Sequence, residues 1–215
     1  MEYETIAAAV DAEQEISRSR FLVRLERVDD EAAARAVIAR VRAEHPRARH
    51  HCSAFVLGPD GRVQRSNDDG EPSGTAGAPM LDALVSAGLS DVVAVVTRYF
   101  GGVLLGAGGL TRAYRSTVAS ATLLARRQRR GLRRSVALSC AYDVAPQIEA
   151  EARRRGYAVG AAEYTDRVVQ RFALADDEVE AFASLAAELS AGAAAVEVGD
   201  AAYVDLATGA GRLAP

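Results

Sequence analysis

Val92-Val93-Ala94-Val95-Val96-Thr97 is an unbroken, largely β-branched apolar run. A strand with one wet face alternates polar and apolar residues. This one does not, so it reads as a strand covered on both faces. Glycine-rich segments lie on either side of it. One is Asp68-Asp69-Gly70-Glu71-Pro72-Ser73-Gly74-Thr75-Ala76-Gly77; the other begins at Thr97 and runs through Gly101, Gly102, Gly106, Gly108 and Gly109 to Tyr114. Glycine loses more conformational freedom on folding than any other residue. Such density marks backbone that turns with positive φ or approaches something closely. The second segment leaves a strand and enters a helix, where unpaired N–H groups sit at the positive dipole end. An anionic partner is well received there.

The N-terminal part carries strand signals at Thr5–Val10 and Phe21–Val28, the second with clear alternation. A helix over Asp30–Glu44 has the stripe Ala34, Val37, Ile38 and Val41, with Asp29 or Asp30 as cap and Pro46 as terminator. Cys52–Leu57 and Arg62–Ser66 form a hairpin around Gly58-Pro59-Asp60-Gly61. After the first glycine loop a short helix puts Met80, Leu81, Leu84 and Val85 on one face, with Gly88 past its end. A longer helix over Gly109–Arg127 buries Leu110, Ala113, Tyr114, Thr117, Val118, Ala121 and Leu124. Arg126–Arg134 reads as a joint between domains. Beyond it come strand Ser135–Tyr142, helix Pro146–Arg155, strands Tyr157–Tyr164 and Val168–Leu174, helix Asp177–Leu189 and strand Ala194–Val204. This βαββαβ order is that of a ferredoxin-like domain. Asp143 and Asp176 suit the caps of its helices, and Thr208–Pro215 reads as a frayed tail. The fold class is α+β.

The chain has 215 residues, 49% of them hydrophobic and 26% charged, an ordinary globular balance for one large domain or two small ones. Lysine is absent, so all 26 basic residues are arginine. Between Val92 and Tyr142 there is no Asp or Glu, yet there are nine arginines. The segment reads either as a basic surface for phosphate or an acidic protein face, or as solvated arginines at helix ends. Cys52 and Cys140 lie in strand-like runs as small apolar residues, with no disulfide-linked partner expected. The opening Met1-Glu2-Tyr3-Glu4 has no leader pattern, and no apolar run approaches the roughly 20 residues needed to span a bilayer. A cytoplasmic protein without a membrane partner is expected.

Gly101 to Gly106 has Walker spacing, but Ala107 and Gly108 replace the lysine and hydroxyl residue, so that motif is rejected. Gly106-Ala107-Gly108 begins a dinucleotide fingerprint that Thr111 breaks. What survives is a nest of N–H groups with Arg112 and Arg115 on one helical face. It serves either an anion or nucleic-acid site or a tight helix–sheet turn. Asp68, Asp69 and Glu71 suit a divalent cation or a solvated turn, the turn being favoured. Ser73 and Thr75 also suit the cap of the helix that follows. His50 and His51 point to opposite faces of a strand and do not share a metal easily. No metal or cofactor is expected. Hydrolysis by His51 with Asp69 or Ser73 is the weakest enzymatic reading.

The two loops carry a resemblance to the YigZ/IMPACT family. It rests on Ser19-Arg20-Phe21, His51-Cys52 with Ala54, Asp68 to Gly77 with Pro79, Val95 to Gly102, and Leu105-Gly106 with Gly108-Gly109-Leu110 and Arg112-Ala113-Tyr114. The resemblance implies an N-terminal domain over 1–132 with the fold of the second domain of ribosomal protein S5, shared with the fourth domain of elongation factor G and the protein subunit of ribonuclease P. It implies a C-terminal domain over 135–206 similar to the fifth domain of that elongation factor. Eukaryotic members regulate translation by competing for the activator of an initiation-factor kinase, and bind actin; they carry an additional N-terminal domain. This chain opens directly in the shared domain, so that partnership is not expected to transfer. No catalytic residue carries over. The expected binding surface takes Asp69, Glu71, Ser73 and Thr75 from the first loop, and Arg98, Tyr99, Gly101, Gly102, Gly106, Gly108, Gly109 and Arg112 from the second. The expected partner is RNA, the ribosome or a translation-related protein, with an enzyme of a phosphorylated small molecule or nucleotide as the alternative.

Overall fold

The computed structural model describes residues 1–206; the Thr208–Pro215 tail lies outside the described residues. The chain divides into a unit formed by Tyr3–Gln128 and a second formed by Met1–Glu2 with the described residues from Arg129 onward.

The Tyr3–Gln128 unit is built around β6 (Val92–Tyr99). β3 (Ser19–Arg27) pairs with it on one side and β4 (His50–Leu57) on the other, with β2 (Val10–Ile16) and β5 (Val63–Asn67) at the two edges. Every pairing is antiparallel. Val92, Ala94 and Val96 face a core shared with α2 (Gly77–Ser86) and α3 (Gly106–Leu124), through Met80, Leu84, Tyr114 and Val118. Val93 and Val95 face the opposite way, against Ala34, Val37 and Val41 of α1 (Glu31–Glu44). All five residues from Val92 to Val96 are fully buried. Each valine so placed contributes on the order of 2 kcal/mol by leaving water. That two-sided burial is why the run carries no polar alternation.

Two expectations at the N-terminus change. In place of one strand over Thr5–Val10 there are two, β1 (Glu2–Ile6) and β2. β2 alternates Val10, Ala12 and Ile16, packed toward the core, with outward Asp11, Glu13 and Glu15. Its apolar face is too sparse to read as a strand from pattern alone. Two helix stripes also lose a member. Val85 is 48% exposed and Leu124 is 67% exposed, because Ala83 and Ala125 take the places at the core. Asp30 caps α1, its Oδ1 accepting the Ala33 N–H at 2.7 Å.

In the second unit, β7 (Arg127–Cys140), α4 (Ala145–Arg154), β8 (Ala158–Tyr164), β9 (Val168–Leu174), α5 (Val179–Leu189) and β10 (Ala195–Asp205) follow the order βαββαβ. A single 3₁₀ turn, Asp176–Glu178, precedes α5. The strands lie in the spatial order β8-β9-β7-β10, all antiparallel. Ile148 and Ala152 of α4 join Phe182 and Ala186 of α5 in its core, where the rings of Phe172 and Phe182 lie 4.5 Å apart. Neither expected aspartate cap forms. Val144 opens α4 without a side-chain cap. Asp176 accepts the Arg134 guanidinium at 2.7 Å, and Glu178 takes the Ala175 N–H instead. Arg126–Arg134 is not a loop either: from Arg127 it is the first part of β7, and Arg130 to Arg134 already pair with β10. The division at Gln128/Arg129 therefore falls inside a strand.

α2 is capped from a distance. Neither Ser73 nor Thr75 reaches its N-terminus; the Thr75 hydroxyl donates to Pro72 O. Asp68 does the work, its Oδ1 accepting the N–H groups of Ala76 (3.0 Å) and Gly77 (2.8 Å) and its Oδ2 that of Gly74 (2.8 Å). Burial pushes the Asp68 carboxyl up, but the Gly74, Gly77 and Ala76 N–H groups together outweigh it and hold the pKa below the ordinary value of 3.8. Asp68→Ala leaves three donors without a partner and is expected to cost about 2 kcal/mol at neutral pH. Because the folded-state pKa is depressed, this contribution is present above the ordinary value and is lost as pH falls through the folded one. The stability gap between wild type and Asp68→Ala in urea should thus hold steady down to about pH 5 and narrow progressively below it; a gap that widens in acid contradicts the cap.

Candidate functional site

The two glycine loops meet at one buried ion pair. Glu71 comes from the first loop and Arg98 from the end of β6, and their side chains are 3% and 7% exposed. A single carboxylate oxygen, Oε1, accepts Arg98 Nη1 at 2.7 Å and the Tyr114 hydroxyl at 2.7 Å. Arg98 Nη2 reaches Ser19 Oγ at 3.4 Å, and the same hydroxyl oxygen accepts the Gly101 N–H at 3.2 Å. The guanidinium carbon lies 5.4 Å from the Phe21 ring centre and 5.6 Å from that of Phe100. Phe21 meets Tyr114 edge to face at 5.3 Å. Sequence reasoning places Glu71 and Arg98 on a ligand-facing surface. The structure gives both an internal partner, and their direct work is to tie the loops together.

Around this pair the acid–base groups are quiet. Burial raises the Tyr114 pKa, and burial pushes the Cys52 thiol up to about 12. A thiol so placed is inert. His51 is buried, with Nδ1 3.1 Å from Thr97 Oγ1, and burial followed by the Arg42 charge lowers its pKa. Asp69 turns through a left-handed backbone (φ 41°) and is fully engaged. Its Oδ2 accepts the His51 N–H at 2.6 Å, its Oδ1 the Arg42 guanidinium at 2.7 Å, and its carbonyl faces His50 Nδ1 at 2.9 Å. A carbonyl only accepts, so His50 carries its proton on Nδ1. Asp69 therefore meets His51 through the backbone and not through the imidazole, and Ser73 is exposed with no bond to either histidine among the described residues. Those three do not assemble into a hydrolytic triad. Also among the described residues, no group of three or more His, Cys, Asp or Glu side chains is placed to hold a metal ion.

The glycines divide by cause. A Cβ on Gly101 would lie 1.9 Å from Arg18 O, so this loop presses on the turn between β2 and β3, and not on a ligand. Gly102 (φ 85°) and Gly106 (φ 69°) turn the backbone into α3. Gly108 and Gly109 lie within the helix, where a Cβ on Gly109 would meet Leu105 at 2.9 Å. Thr75 is buried. Tyr99 is half-buried, its hydroxyl 3.1 Å from His45 Nδ1.

Glu71, Arg98, Tyr99 and Gly106 come together along one cleft of about 810 Å³. Its other walls include Arg47, Arg49, His50, Phe100, Leu104 and Leu110, none of them expected from the sequence. Arg112 and Gly109 line a smaller cleft on another side of Leu104 and Leu105. Asp69, Ser73 and Thr75 line neither. Arg47 and Arg49 follow the Pro46 stop without any motif, so nothing in their spacing advertises them.

The acid-free arginine window does not stay positive in space. Arg98 pairs with Glu71, Arg127 with Glu4, and Arg129 and Arg133 with Glu2. Arg130 pairs with Asp205 and Arg134 with Asp176. Among the described residues, Arg112, Arg115 and Arg126 of that window have no acidic partner.

Removing one member of a buried ion pair strands the other charge. Arg98→Met is expected to cost about 3–5 kcal/mol in urea denaturation. Adding Glu71→Gln removes the stranded charge and keeps an acceptor for Tyr114, so the double variant should be more stable than Arg98→Met alone; a double variant of equal or lower stability shows that the charge was not the source of the loss.

Comparison with known proteins places this geometry. Residues 17–122, which include both loops, match the Impact N-terminal domain, and residues 138–193 match the Domain of unknown function (DUF1949). The chain is 38% identical over 205 residues to the IMPACT family member YvyE of Bacillus subtilis (strain 168), covering 95% of this chain and 94% of that one. It is 42% identical over 188 residues to the IMPACT family member YigZ of Escherichia coli (strain K12), covering 86% and 92%. A solved structure titled "Crystal structure of an hypothetical protein" aligns with a TM-score of 0.63 at 40% identity, over 91% of this chain and 96% of that one. Agreement at this identity along nearly the whole of both relatives, with both glycine loops inside the matched region, means that the chain belongs to the IMPACT family.

Proposed function

We propose that this protein is a non-enzymatic, cytoplasmic, translation-associated binding module, and that of the partners considered RNA is the one it engages directly. The observation that carries the reading is a set of arginines without an acidic partner among the described residues, Arg47, Arg49 and Arg112, on clefts beside the first turn of α3. That turn contains no acidic residue. Long-range attraction of phosphate follows from this arrangement, and Tyr99 and Phe100 offer rings to unstacked bases. The architecture is in keeping with the reading. The five-stranded sheet, with α1 on one face and α2 and α3 on the other, is read as a domain like the second of ribosomal protein S5. The β8-β9-β7-β10 order supports a ferredoxin-like second domain similar to the fifth of elongation factor G.

An enzymatic reading on a phosphorylated small molecule shares the anion site, but there Glu71 already accepts two donors, which leaves His50 Nε2 as the one open lone pair this reading would have to use among the described residues of the cleft. Filter binding of a short single-stranded RNA across ionic strength tests the proposal. Three phosphate contacts predict a slope of log K against log salt of about −2. Arg47→Ala/Arg49→Ala/Arg112→Ala should flatten it, while Arg153→Ala/Arg154→Ala should not. No binding at low salt, or binding without salt dependence, removes the RNA reading.

A further inference from the structure

The 810 Å³ cleft is two-sided in its chemistry. One side is cationic. Arg47 and Arg49 have no acidic partner among the described residues, and α3 opens beside them at Gly106 and Ala107. At the same cleft Arg98 is more than nine-tenths buried, and its Nε has no hydrogen-bond partner among the described residues. A guanidinium held in that way, with one polar atom unsatisfied, is costly for a site that serves packing alone. His50 adds a directed group: its Nδ1 proton is held by the Asp69 carbonyl, so Nε2 is the nitrogen left for a partner. The other side is apolar. Phe100 is 55% exposed and Leu104 is 88% exposed, and both stand on the wall of this one cleft. The volume falls within the usual range for small-ligand sites, roughly 300–1,000 Å³.

We propose that this cleft binds a nucleoside phosphate, with the phosphate between Arg47, Arg49 and the first turn of α3, and the base on Phe100 beside Leu104. An anion alone would not need the exposed ring and leucine; a flat apolar body alone would not need two guanidinium groups that lack an acidic partner among the described residues. Their combination is met by a phosphate joined to a base. The same unit is presented by a free mononucleotide or by the phosphorylated end of an RNA strand. The assignment deepens the RNA reading and rests on it only for the source of the nucleotide.

Calorimetric titration of the full chain with AMP, adenosine and inorganic phosphate tests it, alongside short single-stranded RNA carrying a 5′-phosphate or a 5′-hydroxyl. AMP should bind at least about tenfold more tightly than adenosine, since charge-assisted bonds to phosphate exceed neutral ones. Arg47→Ala/Arg49→Ala should erase that difference. Phe100→Ala should weaken AMP and adenosine together by roughly tenfold, the loss of one stacked base. Both substitutions fall on exposed side chains, and Arg153→Ala/Arg154→Ala should leave every affinity as it was. Equal affinity for AMP and adenosine, or for AMP and inorganic phosphate, overturns the assignment. So does AMP binding that survives Arg47→Ala/Arg49→Ala unchanged. Salt-dependent RNA binding without any AMP binding overturns the cleft assignment and leaves the RNA reading standing. AMP binding without RNA binding at low salt does the reverse. Preference for 5′-phosphorylated over 5′-hydroxyl RNA names the strand end as the source, and equal RNA affinities with tight AMP binding name the free nucleotide.

Discussion

The Glu71–Arg98 pair is the constraint on which the candidate site depends. Two unit charges removed from water cost several kcal/mol each, and their attraction offsets this only when the geometry is good and the remaining donors are met. Here one carboxylate oxygen takes both Arg98 Nη1 and the Tyr114 hydroxyl, and Ser19 Oγ takes Nη2 and the Gly101 N–H. First loop, β6, α3 and the start of β3 are thereby fixed to one point. A hydrophobic cluster of equal volume could match the stability, but it has no direction. The ion pair sets where the second loop leaves the sheet, and so where Phe100 and Leu104 emerge.

The fold was legible wherever burial is periodic. The Val92–Thr97 run, the α1 stripe and the βαββαβ order of the second unit all follow from which residues leave water. What could not be read depends on distance along the chain. Asp68 caps a helix that starts nine positions later, beyond the span in which a capping residue is normally sought. β2 carries its apolar side on Val10, Ala12 and Ile16, too small a signal beside three carboxylates.

The arginine window shows the same lesson in electrostatics. Counting charge along the chain finds nine arginines and no acid between Val92 and Tyr142. Coulomb's law acts through space, and the acids arrive from elsewhere: Glu2 reaches Arg129 and Arg133, and Asp205 reaches Arg130. Among the described residues, positive charge without an acidic partner is left at Arg112, Arg115 and Arg126 of the window and, outside it, at Arg47 and Arg49, which follow a helix stop and belong to no motif. Glycine density in these loops has a partly different cause from the one the sequence suggests. Gly101 admits the backbone of Arg18, and Gly102 and Gly106 turn the chain.

A site rich in donors is suited to hold an anion; to transform one it also needs a base. General-base chemistry needs a group whose pKa lies near the working pH and whose lone pair is open to the substrate. Near this cleft the Cys52 thiol is pushed up to about 12, the Tyr114 pKa is raised, and His51 is buried against Thr97 with its pKa lowered. Glu71 has two donors on the oxygen that would have to act. The same interactions that make the loops rigid therefore occupy Glu71 and Tyr114, and leave His50 Nε2 as the open lone pair on the cleft. The rigidity of the loops and the quiet of Glu71 and Tyr114 arise from one network.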